Sequence, residues 1–364
     1  MKPLPAADSL PTPATPYLAV DLEVLERNIA AMAEFARGQG LALRPHVKTH
    51  KCLEIASRQL DAGASGITVA TVSEAEIFAE AGYNDIFIAY PLWADQARGR
   101  RLKELAKRCS LRLGVDSAKG AEALAENAAG EAPIEVLIEI DSGHHRTGVA
   151  PNAAGDLAMA AVGAGLAVLG AFTYPGHGYG PGLAGVAAAD EAEALGRAAA
   201  SMGALGVPAQ VLSGGSTPTA SLTAPGVVTE MRPGVYVFGD AQQLEMGTCS
   251  IDQVALTAVA TVVSRAPGRV VLDAGSKVLG ADRPGWVSGY GWLADFPGAV
   301  VTALSEHHAT VTWPGNSSQP ELGTVVRVVP NHVCSAVNLA DELIVVTRGE
   351  IADRWRVVAR GANG

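Results

Sequence analysis

The run Arg44-Pro45-His46-Val47-Lys48-Thr49-His50-Lys51 sets Lys48 among an arginine, a second lysine and two histidines. It follows a strand-like stretch, Leu41 to Pro45, and precedes a helix-like one, Cys52 to Leu60. Nearby cations ease the loss of a proton from an amine, and a Schiff base forms only from the neutral amine. A lysine delivered to the carboxyl end of a strand in such company suits the internal Schiff base of a pyridoxal phosphate (PLP) enzyme. Taken alone, a solvated basic loop explains the same run with fewer assumptions.

Other segments carry compatible chemistry. Ser213-Gly214-Gly215-Ser216-Thr217 offers exposed backbone N–H groups at two glycines and three hydroxyls, a composition that cradles a phosphate; a plain Gly/Ser turn explains it equally well. Tyr236 could reach the same anion or fill a core. Asp141-Ser142-Gly143-His144-His145-Arg146-Thr147-Gly148 and Tyr174-Pro175-Gly176-His177-Gly178-Tyr179 are polar, glycine-rich loops. Arg146 could face a cofactor ring, a carboxylate or solvent. In His332-Val333-Cys334, positions i and i+2 share a face of an extended chain, so imidazole and thiolate could converge on one metal ion. That donor pair favours zinc and would leave positions open for substrate, though a buried structural pair is the usual explanation. Glu306-His307-His308 could supply a third group or form a polar turn.

Strand candidates recur ahead of helical stretches and would position these groups: Leu41–Pro45, Gly66–Ala70, Asp85–Ala89, Leu111–Val115, Ile134–Ile140, Ala167–Phe172, Ala209–Leu212 and Val235–Phe238. Leu22, Leu25, Ile29, Met32 and Phe35 mark one amphipathic helix after a strand at Tyr17–Val20. Ser73 with Glu76 reads as a capping box. Eight such strands predict an α/β chain built on a (β/α)8 barrel, although Thr217 to Val228 carries no clear helical pattern. Lys48, Tyr90, Arg146, Tyr174, Ser213–Thr217 and Asp240 would then lie at the carboxyl ends of strands. An open doubly wound sheet is the rival, and no Gly-x-Gly-x-x-Gly follows a strand to support it. Beyond Cys249 the texture turns to short β-rich runs: Leu256–Val263, Arg269–Asp273, Ala299–Leu304, Thr310–Trp313, Thr324–Val329 and Glu342–Val346, with no clear helix between them. The reading is a barrel over residues 1–248 and a mainly β domain over residues 249–364. The strand near residues 17–20 could pair with the second domain.

A formal charge of −10 argues against nucleic acid or an anionic membrane as partner. Four scattered cysteines show no disulfide framework and suit a cytoplasmic setting. Met1 to Thr15 is proline-rich with no apolar signal core. Leu157 to Tyr174 lacks charge but is Ala/Gly-rich and divides at Gly163-Ala164-Gly165 into helix then strand, which excludes a membrane span.

Together, Arg44–Lys51, Gly66–Glu76, Asp141–Gly148, Ser213–Thr219, Arg232–Phe238, Leu272–Gly275 and Pro330–Cys334 resemble the metal-activated, PLP-dependent D-amino-acid lyases. That family includes D-serine dehydratase, D-threo-3-hydroxyaspartate dehydratase and D-threonine aldolase, and has an alanine-racemase-like barrel with a C-terminal β domain. The resemblance implies that Lys48 forms the Schiff base and that Ser213, Gly214, Gly215, Ser216 and Thr217 hold the phosphate with Tyr236. It places Arg146 and Tyr174 by the cofactor. It makes His332 and Cys334 ligands of a divalent metal, zinc first, with manganese or magnesium as alternatives. It also implies a homodimer. A cysteine at the metal is characteristic of the dehydratases, where the aldolases carry aspartate, so Cys334 leans toward loss of water from a D-β-hydroxy amino acid to give a 2-oxo acid and ammonia. The Tyr174–Tyr179 loop departs from the family pattern. An aldolase giving glycine and an aldehyde, a racemase and a non-catalytic PLP carrier are the alternatives.

Overall fold

The computed structural model describes residues 12–130, 133–315 and 317–364. The proline-rich stretch read for a signal core lies outside the described residues as far as Pro11. The chain groups into two compact units, Ile29–Tyr236 with Gly361–Gly364, and the residues up to Asn28 with Val237–Arg360. The division falls after Tyr236, ahead of the change in texture near Cys249. Ala241 and Val254 there bury against Val329, and Ala255 N–H donates to Phe238 O, so this segment shares a core with the β-rich runs C-terminal to it.

β1 (Tyr17–Asp21) belongs to the second unit and is described with it. The first unit is built on β2 (Ala42–Leu43), β3 (Ile67–Val69), β4 (Asp85–Pro91), β5 (Ser110–Val115), β6 (Glu135–Glu139), β7 (Ala167–Phe172), β8 (Val211–Gly214) and β9 (Glu230–Met231). All are paired in parallel, in the order β2-β9-β8-β7-β6-β5-β4-β3. The edges meet: Ser65 N–H donates to Leu43 O, Thr68 N–H donates to Pro45 O, and His46 bridges Thr68. This is the expected eight-stranded barrel, whose loops at the carboxyl ends collect functional side chains.

Two local expectations are corrected. The eighth strand is Glu230–Met231, and Val235–Val237, expected as strand, is a 3₁₀ turn. Pro233 cannot donate to a ladder, and Gly234 lies where a Cβ would meet Thr49 Oγ1 at 2.6 Å, so the chain turns there. The apolar run Val235–Phe238 imitates a strand because the turn itself is buried. Asp240 therefore caps the helix Ala241–Met246 instead of ending a strand. The helix Val72–Glu80 is likewise capped by Thr71, whose side chain accepts from Glu74 N–H, while Glu74 Oε2 accepts from Ala70 N–H. Ser73 and Glu76 both bond Arg101 instead of forming the cap. Leu157 to Tyr174 divides into the helix Ala154–Gly163 and strand β7, and no helix among the described residues is long and apolar enough to cross a membrane.

A polar ladder runs through the buried barrel. Arg44, 2 % exposed, holds Asp85 Oδ1 at 2.8 Å and Glu230 Oε2 at 2.7 Å. Ser213 Oγ donates to Glu230 Oε1 at 2.6 Å and accepts from Arg232 Nε at 2.9 Å. Arg232 also donates to Thr173 O and lies over the rings of Phe87 and Phe172. Arg44 and Glu230 pair with each other, which is what makes their burial tolerable.

In the second unit, β10 (Leu256–Ala266), β11 (Arg269–Leu272), β12 (Gly291–Leu293), β13 (Val300–Leu304), β14 (Ala309–Thr312), β15 (Val325–Pro330), β16 (Glu342–Thr347) and β17 (Glu350–Arg356) form one sheet with β1. The long β10 pairs with β15 through one half and β11 through the other, closing an antiparallel ring β10-β11-β14-β13-β12-β15. β1 joins β10 antiparallel and β16 parallel, so the early strand extends this sheet. Against expectation, helices do intervene, at Ser276–Leu279 and Val333–Leu339.

Candidate active site

Lys48 lies on the 3₁₀ turn Val47–Thr49 at the exit of β2, and two backbone bonds returning to Val47 O, from His50 and Lys51, close the turn. Its Nζ stands 5.8 Å from the centroid of the Tyr174 ring. Arg146 lies 5.1 Å from the same centroid, and His144 meets the ring edge-on at 5.4 Å. Three sequence-predicted residues, Lys48, Arg146 and Tyr174, thus share one cluster. Asp141 shapes the loop that presents Arg146: its Oδ1 accepts from Gly143 N–H and His145 N–H, and its Oδ2 meets His145 Nδ1 at 2.7 Å. Gly148, at φ 100°, crosses so near β6 that a Cβ would sit 2.6 Å from Asp141 N. His46 is half-buried, and desolvation, then the charges of Lys48 and Arg232, hold its imidazole well below its ordinary range. Lys51 is a different kind of lysine: it pairs inside the fold with Glu74 at 3.1 Å.

The Ser213–Thr217 loop ends β8. The Ser213 hydroxyl has one proton, engaged by Glu230, so this side chain braces the barrel and has no donor left for an anion. Gly215, at φ 79°, donates its N–H to Glu191 Oε1 at 2.6 Å, and Ser216 N–H donates to Thr219 Oγ1 at 2.9 Å. A Cβ on Gly214 would lie 2.3 Å from Glu191 Oε1, so a side chain there would push the Glu191 carboxyl aside. Thr217 Oγ1 accepts from Tyr236 N–H at 3.2 Å, bringing Tyr236 to the loop.

Glu191 has no exposure, its Oε2 has no partner, and burial pushes its carboxyl up to about 7. The unfolded carboxyl ionises near 4.5, so stability attached to this group is lost as pH rises from about 4.5 to about 7. Glu191→Gln removes the titration. Its stability relative to wild type is expected to rise by up to about 3 kcal/mol between pH 4.5 and 8 in urea unfolding. A difference that is flat with pH would show that Glu191 is ionised throughout.

In the second unit, His332 is extended (φ −133°, ψ 106°) and caps the helix Val333–Leu339, so Cys334 sits in a first helical turn. The expected extended register does not hold, yet the pair still converges, with the two side chains in hydrogen-bond contact. His332 Nδ1 meets Asp282 Oδ2 at 3.1 Å, and Ser335 Oγ donates to the same oxygen at 2.7 Å. Asp240 Oδ2 accepts from Val333 N–H at 3.2 Å. Burial works against a charged His332, but the Cys334 thiolate, Asp282 and Asp240 outweigh it and lift the imidazole to about 11. His332 and Cys334 are the residues here that could hold a metal ion, through a nitrogen and a sulfur. No third His, Cys, Asp or Glu completes a metal-holding set among the described residues. Glu306 instead pairs with Lys277 at 2.7 Å on an exposed turn with His307.

Three residues of these sites escape a reading of the sequence: Arg232, Glu191 and Asp282. Arg232 is visible there only as part of a matched stretch. The other two lie in an Ala-rich helix and a loop with no local signature.

Two family models match the chain: alanine racemase, N-terminal domain, over residues 20–242, and a putative serine dehydratase domain over residues 255–346. D-threo-3-hydroxyaspartate dehydratase of Delftia sp. is 38 % identical over 357 residues, covering 90 % of this chain and 93 % of its own. Its solved structure superposes with a TM-score of 0.88, covering 96 % of this chain and 98 % of that one. Structures of that dehydratase include a histidine-to-alanine mutant and a cysteine-to-alanine mutant in the metal-free form. D-threonine aldolase of Arthrobacter sp. is 36 % identical over 373 residues, covering 99 % of this chain and 96 % of its own. D-serine dehydratase of Dictyostelium discoideum is 28 % identical over 382 residues, covering 94 % and 96 %. With a barrel and β unit of this construction, the chain belongs to the PLP-dependent, alanine-racemase-like lyase family of fold type III.

Proposed function

We propose that the protein is a PLP- and divalent-metal-dependent dehydratase of D-β-hydroxy amino acids of the D-serine or D-threo-3-hydroxyaspartate type. The observation that carries the reading is Cys334 in hydrogen-bond contact with His332, whose ring is also held by Asp282. The likeness to the Delftia enzyme, with its metal-free cysteine-to-alanine mutant, supports it.

Lys48 would hold PLP, with Arg146 and Tyr174 beside it and Gly214, Gly215, Ser216, Thr217 and Tyr236 around the phosphate. Ser213 acts through the loop, since its proton is engaged. PLP when bound supplies an electron sink for charge at the substrate Cα. The freed Lys48 Nζ takes the Cα proton as general base. His332 and Cys334 would hold the metal, zinc by donor chemistry, with manganese or magnesium as alternatives. That ion when bound supplies a Lewis acid for the departing β-hydroxyl. Loss of the Cα proton and the Cβ hydroxyl removes one water, and hydrolysis of the released enamine gives a 2-oxo acid and ammonia. A homodimer in a reducing cytoplasm completes the reading and accords with four free cysteines.

The relative from Arthrobacter sp. supports a second reading, cleavage of Cα–Cβ. Incubation with D-serine, D-threonine and D-threo-3-hydroxyaspartate, metal supplied, separates the two. A 2-oxo acid with equimolar ammonia is expected from each accepted substrate. Glycine as main product from D-threonine would overturn the dehydratase assignment.

A further inference from the structure

Behind Tyr236 lies a chain of buried groups whose hydrogen-bond direction is fixed from one end. Cys52 N–H, a backbone donor, points at His50 Nδ1 at 3.1 Å, so that nitrogen must present its lone pair. His50 has no exposure, and burial holds its imidazole down at about 4, so the neutral ring carries its single proton on Nε2. Nε2–H then donates to Gln59 Oε1 at 3.2 Å. The carbonyl of Gln59 being so committed, its NH₂ donates to the Tyr236 hydroxyl oxygen at 2.9 Å. The opposite polarity would bring two N–H groups head to head at His50 Nδ1. Tyr236 accordingly accepts from Gln59, and its own O–H proton has no acceptor among the described residues. The residue is buried, its backbone N–H donates to Thr217 Oγ1, and its hydroxyl stays neutral because burial pushes it far up.

We infer that His50 and Gln59 are positioning residues that set Tyr236 permanently as a donor toward a phosphate oxygen of the cofactor. The inference rests on the PLP reading and deepens it. A tyrosine can donate or accept, and only the donating form favours an anion; the chain from Cys52 N–H removes the wrong form before the ligand arrives. His50, though it stands within the basic run, is neutral and so has this task instead of lending charge to Lys48.

Gln59→Glu tests the polarity while keeping the shape. At pH 8 the introduced carboxylate, once ionised, accepts from both neighbours, so the Tyr236 proton turns inward and its lone pair faces the phosphate. PLP affinity of the full-length chain, followed by visible absorbance and equilibrium dialysis, is expected to fall about tenfold to a hundredfold, the weight of one hydrogen bond to a charged group. Tyr236→Phe, which keeps the packing, should give a loss of the same size, and the double variant little more. Pyridoxal, which lacks the phosphate, should bind all three variants as it binds wild type. Unchanged PLP affinity in Gln59→Glu, additive losses, or an equal loss for pyridoxal would each overturn the inference. A wild-type chain that takes up no PLP would overturn the cofactor reading and the inference with it.

Discussion

Lys48→Ala is expected to remove the visible absorbance of bound PLP and to lower turnover of a D-β-hydroxy amino acid by about 10²–10⁴-fold or more, the weight of a lost general base alone. The turn that carries Lys48 is closed by backbone bonds to Val47 O, which do not use its side chain, so the variant should keep its fold. Lys51 provides the contrast. Its amine is paired with Glu74, and neither side chain is more than 7 % exposed. Lys51→Met leaves a buried carboxylate without its cation and should cost about 3–5 kcal/mol of stability, while any folded fraction keeps the cofactor absorbance. The two lysines stand three residues apart in one basic run. A spectrum that survives Lys48→Ala, or one that vanishes from folded Lys51→Met, would reverse their assignment.

That contrast shows where sequence reasoning reaches its limit. Lys48 is legible because a barrel puts its functional groups at the exits of its strands, and the apolar period locates those strands from Leu41 to Leu212. The eighth strand is misplaced by pattern because Val235–Phe238 is as apolar as any strand; only the close approach of Gly234 to Thr49 and His46 decides that the chain turns there. The capping of Val72–Glu80 is misread by two residues, since Thr71/Glu74 and Ser73/Glu76 have the same spacing and tertiary contacts to Arg101 claim the second pair. His332 and Cys334 are found through the wrong backbone: a cap followed by a helical first turn also brings i and i+2 together. Asp282 reaches His332 from a distant loop, and Glu191 reaches Gly215 from another element of the barrel unit. Neither has a local pattern, so only folding reveals it.

Cys334→Ala should separate the two halves of the proposed chemistry. The thiolate is the stronger donor of a two-ligand set, and no third His, Cys, Asp or Glu completes a metal-holding set among the described residues to replace it. Stoichiometric metal, measured by elemental analysis after dialysis, is therefore expected to disappear, and 2-oxo acid formation with it. Cofactor absorbance should persist because Lys48 lies in the other unit. Cys334 is only half-buried, so alanine leaves no large cavity and the loss should not be one of folding. Asp282→Asn is the graded version. Its carboxylate meets His332 Nδ1 and leaves Nε2 as the nitrogen for the ion, and outer partners of this kind hold the ring in its ligating tautomer. Weakening that contact should lower metal affinity by about 10–100-fold and leave activity recoverable at high metal. Full activity of Cys334→Ala in chelator would remove the metal pair from the reaction. Lost activity with metal still bound would instead make Cys334 a group that acts on the substrate itself.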